Sequence, residues 1–313
     1  MRTAASLLIL MLCGSVALAA SSPAPTRGTL ESGGVTLAYE IRGTAPGRPL
    51  VVVNGGPGFD HGYLVVGDAW DRLATARRVV MYDQRGTGAS SRIKEGQPCG
   101  LAEQIEDLEA LRAHLGLDTM DLLGHSWGGY LVMAYAARHP EHVAHLVIAD
   151  SAAPKIQDTL FEFKNFYPET SREEDGLAFA VELQDPKAIA ADIALYMTML
   201  FHSPARRDAY LAAFKPTDAY QPSVNRAVWS DLQRFDLNPE LPKFRFPTLV
   251  ITGRYDFNVA PAVAYAIHRA IPGSELAVFE DSGHLPFYEE PEAFVARLQA
   301  FLGSPPKGAL SGS

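Results

Sequence analysis

The chain has 313 residues, 47% hydrophobic and 20% charged, which excludes a disordered or fibrous protein and suits one large α/β domain or two smaller ones. A formal charge of −9 with no Lys/Arg cluster excludes a nucleic-acid or anionic-membrane surface. The expected partner is a small molecule or short peptide; oligomeric state is not legible.

Residues 1–19 combine a basic start, Met1-Arg2-Thr3, with an apolar stretch and the exit Ala17-Leu18-Ala19. This is the pattern of a secretory signal peptide, so the chain is expected to be exported, to the periplasm or the medium. Gly14 and Ser15 interrupt the run and Ser21-Ser22-Pro23 follows it, which argues against a stable membrane anchor. Cleavage removes Cys13 and leaves Cys99 alone in Gln97-Pro98-Cys99-Gly100, a spare thiol with no disulfide partner.

Next, residues 28–31 and 35–42 alternate around Gly33-Gly34, which reads as an opening hairpin. Residues 50–53, 79–82, 120–123, 146–149, 248–252 and 275–279 are continuous apolar runs, the signature of strands buried on both faces. Helical patterns at 101–115, 130–139, 260–271 and 291–302 alternate with them. The fold class is therefore α/β, a mostly parallel sheet covered by helices on both faces. The rhythm breaks at residues 153–241, read as an inserted helical cap above the carboxyl ends of the strands, where such sheets bind ligands. The cap divides the core into residues 20–152 and 242–303, and residues 304–313 read as a flexible Gly/Ser/Pro-rich tail.

Gly124-His125-Ser126-Trp127-Gly128-Gly129 lies between an apolar run and a helical one. Gly-x-Ser-x-Gly in that setting is a nucleophile elbow: the glycines give room to a serine displayed on a strained turn, and the helix start favours developing negative charge. A serine hydroxyl needs a base, and the base needs an orienting acid. His284, in the loop after the last apolar strand, is the expected base, with His61 and His202 as alternatives; His125 adjoins the serine but is expected to point away. Asp256, beyond the strand at 248–252, is the expected acid, giving the chain order Ser, Asp, His; Asp150, also at a strand end, is its rival. The oxyanion donors are expected to be the amides of Trp127 and of Gly56 in Asn54-Gly55-Gly56-Pro57-Gly58. No metal-ligand spacing is present, and no cofactor is expected.

These segments, with Asp83-Gln84-Arg85-Gly86-Thr87-Gly88, Gly253-Arg254-Tyr255-Asp256 and Ser282-Gly283-His284, resemble the prolyl iminopeptidases of the α/β-hydrolase superfamily, in the same order. The resemblance covers nearly all of the mature chain outside the cap. It implies an α/β-hydrolase fold and release of an N-terminal residue, often proline, through Ser126, Asp256 and His284. Asn54 stands where that family writes His. Family members bind the substrate ammonium with cap glutamates, and no Trp-Glu pair occurs here; Trp229, Asp231 and Glu162 are the candidate substrate-binding residues, with Glu169 a further acid. Asp83 and Arg85 are read as loop braces. The alternatives are a carboxylesterase, lactonase or amidase with the same machinery, and a non-catalytic binding protein; epoxide and haloalkane hydrolysis call for Asp where Ser126 stands.

Overall fold

A computed structural model describes residues 24–214 and 220–303; the expected leader and tail lie outside them. Strand β1 (Thr26–Ser32) turns into β2 (Val35–Arg42) through Gly33 and Gly34, at φ 52° and 78°. Two successive positive φ angles match the twist of a two-residue hairpin, and glycine supplies them without a Cβ clash. The chain continues through β3 (Leu50–Val53), α1 (Ala69–Ala74), β4 (Val79–Tyr82), α2 (Leu101–His114), β5 (Met120–His125), α3 (Trp127–Arg138) and β6 (Val143–Ala149).

The cap region follows as α4 (Phe163–Phe166), α5 (Pro168–Glu182), α6 (Pro186–Thr198), α7 (Pro204–Ala213) and α8 (Pro222–Leu232). Helices α5 to α8 each open on proline, whose fixed φ suits the first helical position, where no backbone N–H partner is needed. The core resumes with β7 (Thr248–Gly253), α9 (Pro261–Ala270), β8 (Glu275–Phe279), α10 (Pro286–Glu289) and α11 (Pro291–Leu302). Among the described residues no helix is long and apolar enough to cross a membrane.

The sheet order is β1-β2-β4-β3-β5-β6-β7-β8, with β1 and β2 antiparallel to their neighbours and the rest parallel. Side chains alternate between two cores. Val51, Val53, Leu122 and Ile148 face α2 and α3 in one, whereas Leu50, Val52, Leu123 and Val147 face α1 and α11 in the other. That double covering is why the strands read as continuous apolar runs. Strand β8 departs from the expectation: it is the sheet edge, and Glu275 to Val278 are exposed or half-buried. Helix α3 has ten of its twelve residues buried, so it is apolar all round and anchors the elbow from below.

Candidate active site

Ser126 sits between β5 and α3 at φ 59° and ψ −124°, a conformation in which non-glycine residues are strained. A Cβ on Gly124 would overlap the Gly128 carbonyl, and one on Gly128 the Val53 carbonyl, so both glycines are sterically required. The Ser126 N–H donates to the Ala149 carbonyl at 2.9 Å, which ties the elbow to β6.

The loops after β7 and β8 bring Asp256 and His284 together. Asp256 Oδ2 lies 2.7 Å from His284 Nδ1, and Asp256 Oδ1 accepts the N–H groups of Asn258 and Val259 at 2.9 and 2.8 Å. A carboxylate so placed fixes the proton on Nδ1 and leaves Nε2 with its lone pair. Ser126, His284 and Gly56 line one small recess, yet Nε2 accepts its hydrogen bond from Asn258 Nδ2 at 3.1 Å. Gly56 and Trp127 also flank Ser126 in a larger cavity above it. Their N–H groups take no partner among the described residues, whereas Gly55 N–H donates to Tyr63 Oη. Asn54 braces this turn, donating from Nδ2 to the carbonyls of Gly55 and Phe59 at 3.0 and 2.7 Å.

The His125 ring bonds to Tyr63 and to the His284 carbonyl and makes no hydrogen bond to Ser126, with which it lines the small recess. Burial and the neighbouring His284 hold its pKa well below that of a free imidazole, so the ring is neutral. Its Nε2–H donates to the His284 carbonyl at 2.7 Å, and its Nδ1 accepts from Tyr63 Oη at 2.6 Å. Because Tyr63 Oη also accepts Gly55 N–H at 2.6 Å, two side chains join the oxyanion turn, the elbow and the base loop. Sequence reasoning missed Tyr63, whose partners are distant in the chain.

The alternative bases lie in other surroundings. His61 is pushed up to about 9 by hydrogen bonds and charge from Asp83 and Glu40, which outweigh its burial; its Nδ1 is 2.6 Å from Asp83. His202 stacks on Tyr255 with ring centroids 3.7 Å apart. Asp83 thus braces its loop through His61 and Ala89 N–H, while Arg85 pairs with Asp107, a partner the sequence did not indicate. Burial pushes the Cys99 thiol up to about 11, which keeps it protonated and unreactive. Asp150 accepts Gly253 N–H at 2.8 Å and makes no hydrogen bond to His284.

The cavity over Ser126 has a volume of about 460 Å³ and is roofed by α5, α6 and α8. Trp229 lines it as expected. Asp231 does not: its Oδ2 accepts Leu101 N–H at 2.8 Å, bracing the start of α2. Glu162 is also outside the wall, with Oε2 held by Asn165 Nδ2 at 2.7 Å, and Glu169 is exposed on the first turn of α5. The lining acids are Glu174 on α5 and Asp192 on α6. Burial first, then the charges of Asp192 and Asp175, push Glu174 up to about 7 against the opposing pull of Lys164. Burial alone pushes Asp192 up to about 6.

Two groups of ligating side chains gather among the described residues: Asp150, Asp256 and His284, and Glu109, His139 and His142. In the first, Gly253 N–H occupies Asp150 Oδ1 and three N–H donors occupy the Asp256 oxygens; in the second, Glu109 is held by Arg112 and by Tyr135 Oη.

Residues 48–291 match the family model described as the alpha/beta hydrolase fold. The proline iminopeptidase of Lactobacillus helveticus is 33% identical over 288 residues, covering 84% of this chain and 93% of that protein. The chain belongs to the proline iminopeptidase family of α/β-hydrolases. The Clostridium botulinum proline iminopeptidase is 32% identical over 84% of this chain and 93% of its own length. Among solved structures, the thermophilic esterase from Thermogutta terrifontis superposes with a TM-score of 0.68 at 26% identity, covering 90% of this chain and 98% of that one. This family member is a serine hydrolase.

Proposed function

We propose that the protein is an exported aminopeptidase that releases an N-terminal residue, proline first among them, from short peptides. The observation that carries this reading is the pair Glu174 and Asp192 in the wall of the cavity that holds Ser126. Burial disfavours the charged form of both acids, and the Asp192 charge adds to it at Glu174. A substrate ammonium offsets that penalty and is itself paired, whereas a neutral ester gains nothing there.

Catalysis then follows from the placed groups. The Ser126 hydroxyl attacks the substrate carbonyl as its proton passes to His284 Nε2, and Asp256 holds the imidazolium that forms. The Gly56 and Trp127 amides receive the negative charge on the carbonyl oxygen. The imidazolium protonates the departing amine, the C–N bond breaks, and the acyl group remains on Ser126. Water, deprotonated by His284, then frees the N-terminal residue as an acid and restores the serine. For the first step Asn258 Nδ2 must leave Nε2, so substrate binding and release of this contact are linked.

An esterase reading keeps the same chemistry, and the likeness to the Thermogutta esterase favours it. The separating assay is turnover of proline and alanine p-nitroanilides, free and N-acetylated, beside p-nitrophenyl acetate, with Ser126→Ala as control. Ser126-dependent release from free amines alone supports the aminopeptidase; ester cleavage without anilide release moves the function to the esterase. Export is checked separately, by an intact mass that places the mature N-terminus at Ala20.

A further inference from the structure

We infer that Asp150 is a positioning residue that keeps its proton and donates it as a hydrogen bond to Asp256, completing the shell around the acid that orients His284. The inference rests on the triad proposed above and adds a member to it.

Asp256 is fully buried, and a buried carboxylate retains its charge only when its oxygens are supplied with donors. An ionised carboxylate has about four acceptor sites. Three are filled: Asn258 N–H and Val259 N–H on Oδ1, and His284 Nδ1–H on Oδ2. The fourth neighbour is Asp150, with an oxygen of each carboxyl and a nitrogen of His284 all within 4.8 Å of one another.

Asp150 is itself 1% exposed. Its Oδ1 accepts Gly253 N–H, but no N–H or O–H among the described residues reaches Oδ2, which is buried. Its neighbour is the Asp256 carboxyl, with an oxygen of each within 4.8 Å of the other. Two buried carboxylates this close repel each other strongly when both are charged, so one of them carries a proton. The donor set decides which: Asp256 has three N–H donors and Asp150 has one. Burial, the Asp256 charge and the more distant Glu289 all act in the same direction on Asp150, well above the ordinary carboxyl range, and only the Gly253 amide opposes them.

The backbone agrees. Asp150 stands at φ 47°, a left-handed conformation that Asp and Asn tolerate better than other non-glycine residues. Asparagine at this position therefore keeps the backbone and offers a neutral N–H donor, without a carboxylate.

The test measures kcat/KM with p-nitrophenyl acetate and with proline p-nitroanilide, whichever the parent turns over, for Asp150→Asn, Asp150→Ala and Asp256→Asn. Loss of about 3- to 10-fold is expected for Asp150→Asn, whose amide replaces the acid proton with a weaker donor, and about 100-fold for Asp150→Ala. Asp256→Asn should lose about 10³-fold or more through misorientation of His284. Infrared difference spectra at pH 8 give a readout independent of turnover: a buried protonated-carboxyl C=O band should be present in the parent and absent from Asp150→Asn. If Asp150→Asn falls as far as Asp256→Asn, or the band persists in it, the proton is not on Asp150 and the inference is overturned. If Asp256→Asn stays active while Asp150→Asn does not, Asp150 is the orienting acid, and the triad reading itself fails.

Discussion

Replacing Tyr63 with phenylalanine tests whether the three catalytic loops are held as one unit. The substitution keeps the ring, which packs edge-on against Phe59 and tilted against His125, and removes only the hydroxyl. That oxygen has two partners at 2.6 Å, Gly55 N–H and His125 Nδ1, and both are buried. His125 cannot recover by turning its other nitrogen inward without releasing the His284 carbonyl. A buried polar group left without a partner costs about 1–3 kcal/mol, so two together predict a loss of about 3 kcal/mol, against roughly 5–15 kcal/mol for a whole domain. Urea unfolding should show a lower midpoint at an unchanged slope. With p-nitrophenyl acetate, kcat should fall by about tenfold or more while KM changes little, because the groups displaced act on the transition state rather than on the bound ester. A stability change below about 1 kcal/mol with kcat intact would refute the idea that the Tyr63–His125 bridge aligns these loops.

Four further expectations follow from the geometry. Glu174→Gln or Asp192→Asn should each reduce kcat/KM for free-amine anilides by about 10- to 100-fold, the worth of one charge-assisted hydrogen bond, and leave p-nitrophenyl acetate within about twofold. Because these carboxyls are raised to about 7 and 6, they are charged above that window and neutral below it, so preference for a free over an N-acetylated substrate should fade as pH drops from 8 to 5. His61 is raised to about 9, so the stability it contributes, on the order of 3 kcal/mol, is fully present below its unfolded value near 6.5 and is lost as pH rises through 9. Urea midpoints at pH 6 and pH 10 should therefore differ more for the parent than for His61→Gln. Asn258→Ala removes the donor that must leave Nε2 before it takes the serine proton, so kcat/KM for p-nitrophenyl acetate should not fall, and a loss of about tenfold or more would mean that Asn258 contributes to the reaction itself.

Much of the reacting centre was legible because it is local. Gly124 and Gly128 are forced by backbone carbonyls within a few residues or on the adjoining strand, and that constraint leaves a pattern any reader of the chain can see. Asp256 and His284 follow apolar runs directly, so their places at strand ends come with the runs. The proposed substrate acids were harder to read. Glu174 sits in Arg172-Glu173-Glu174-Asp175, which reads as a solvated helix face, and nothing in that run distinguishes the carboxylate that turns into the cavity. Asp192 did leave a signal: it is a lone acid among Ala190, Ala191, Ile193 and Ala194 on a helix otherwise apolar at its centre. Asp231 lies two residues from Trp229, and residues two apart on a helix do not share a face. Trp229 looks into the cavity while Asp231 reaches the start of α2.

On the proposed reading, reaction type and substrate are set by different parts of the chain. Groups placed to act on the reacting bond, from Gly56 to His284, stand on loops at the carboxyl ends of β3, β5, β7 and β8, and the sheet register fixes where those loops meet. The acids proposed to tell an ammonium from an ester oxygen stand on α5 and α6, in the stretch between β6 and β7. Neutralising Glu174 and Asp192 together should therefore leave Ser126 as reactive toward p-nitrophenyl acetate as before and abolish preference for a free amine. If the double variant lost ester turnover to the same degree as anilide turnover, the two acids would be acting on the chemistry itself, and the separation of chemistry from recognition would not hold.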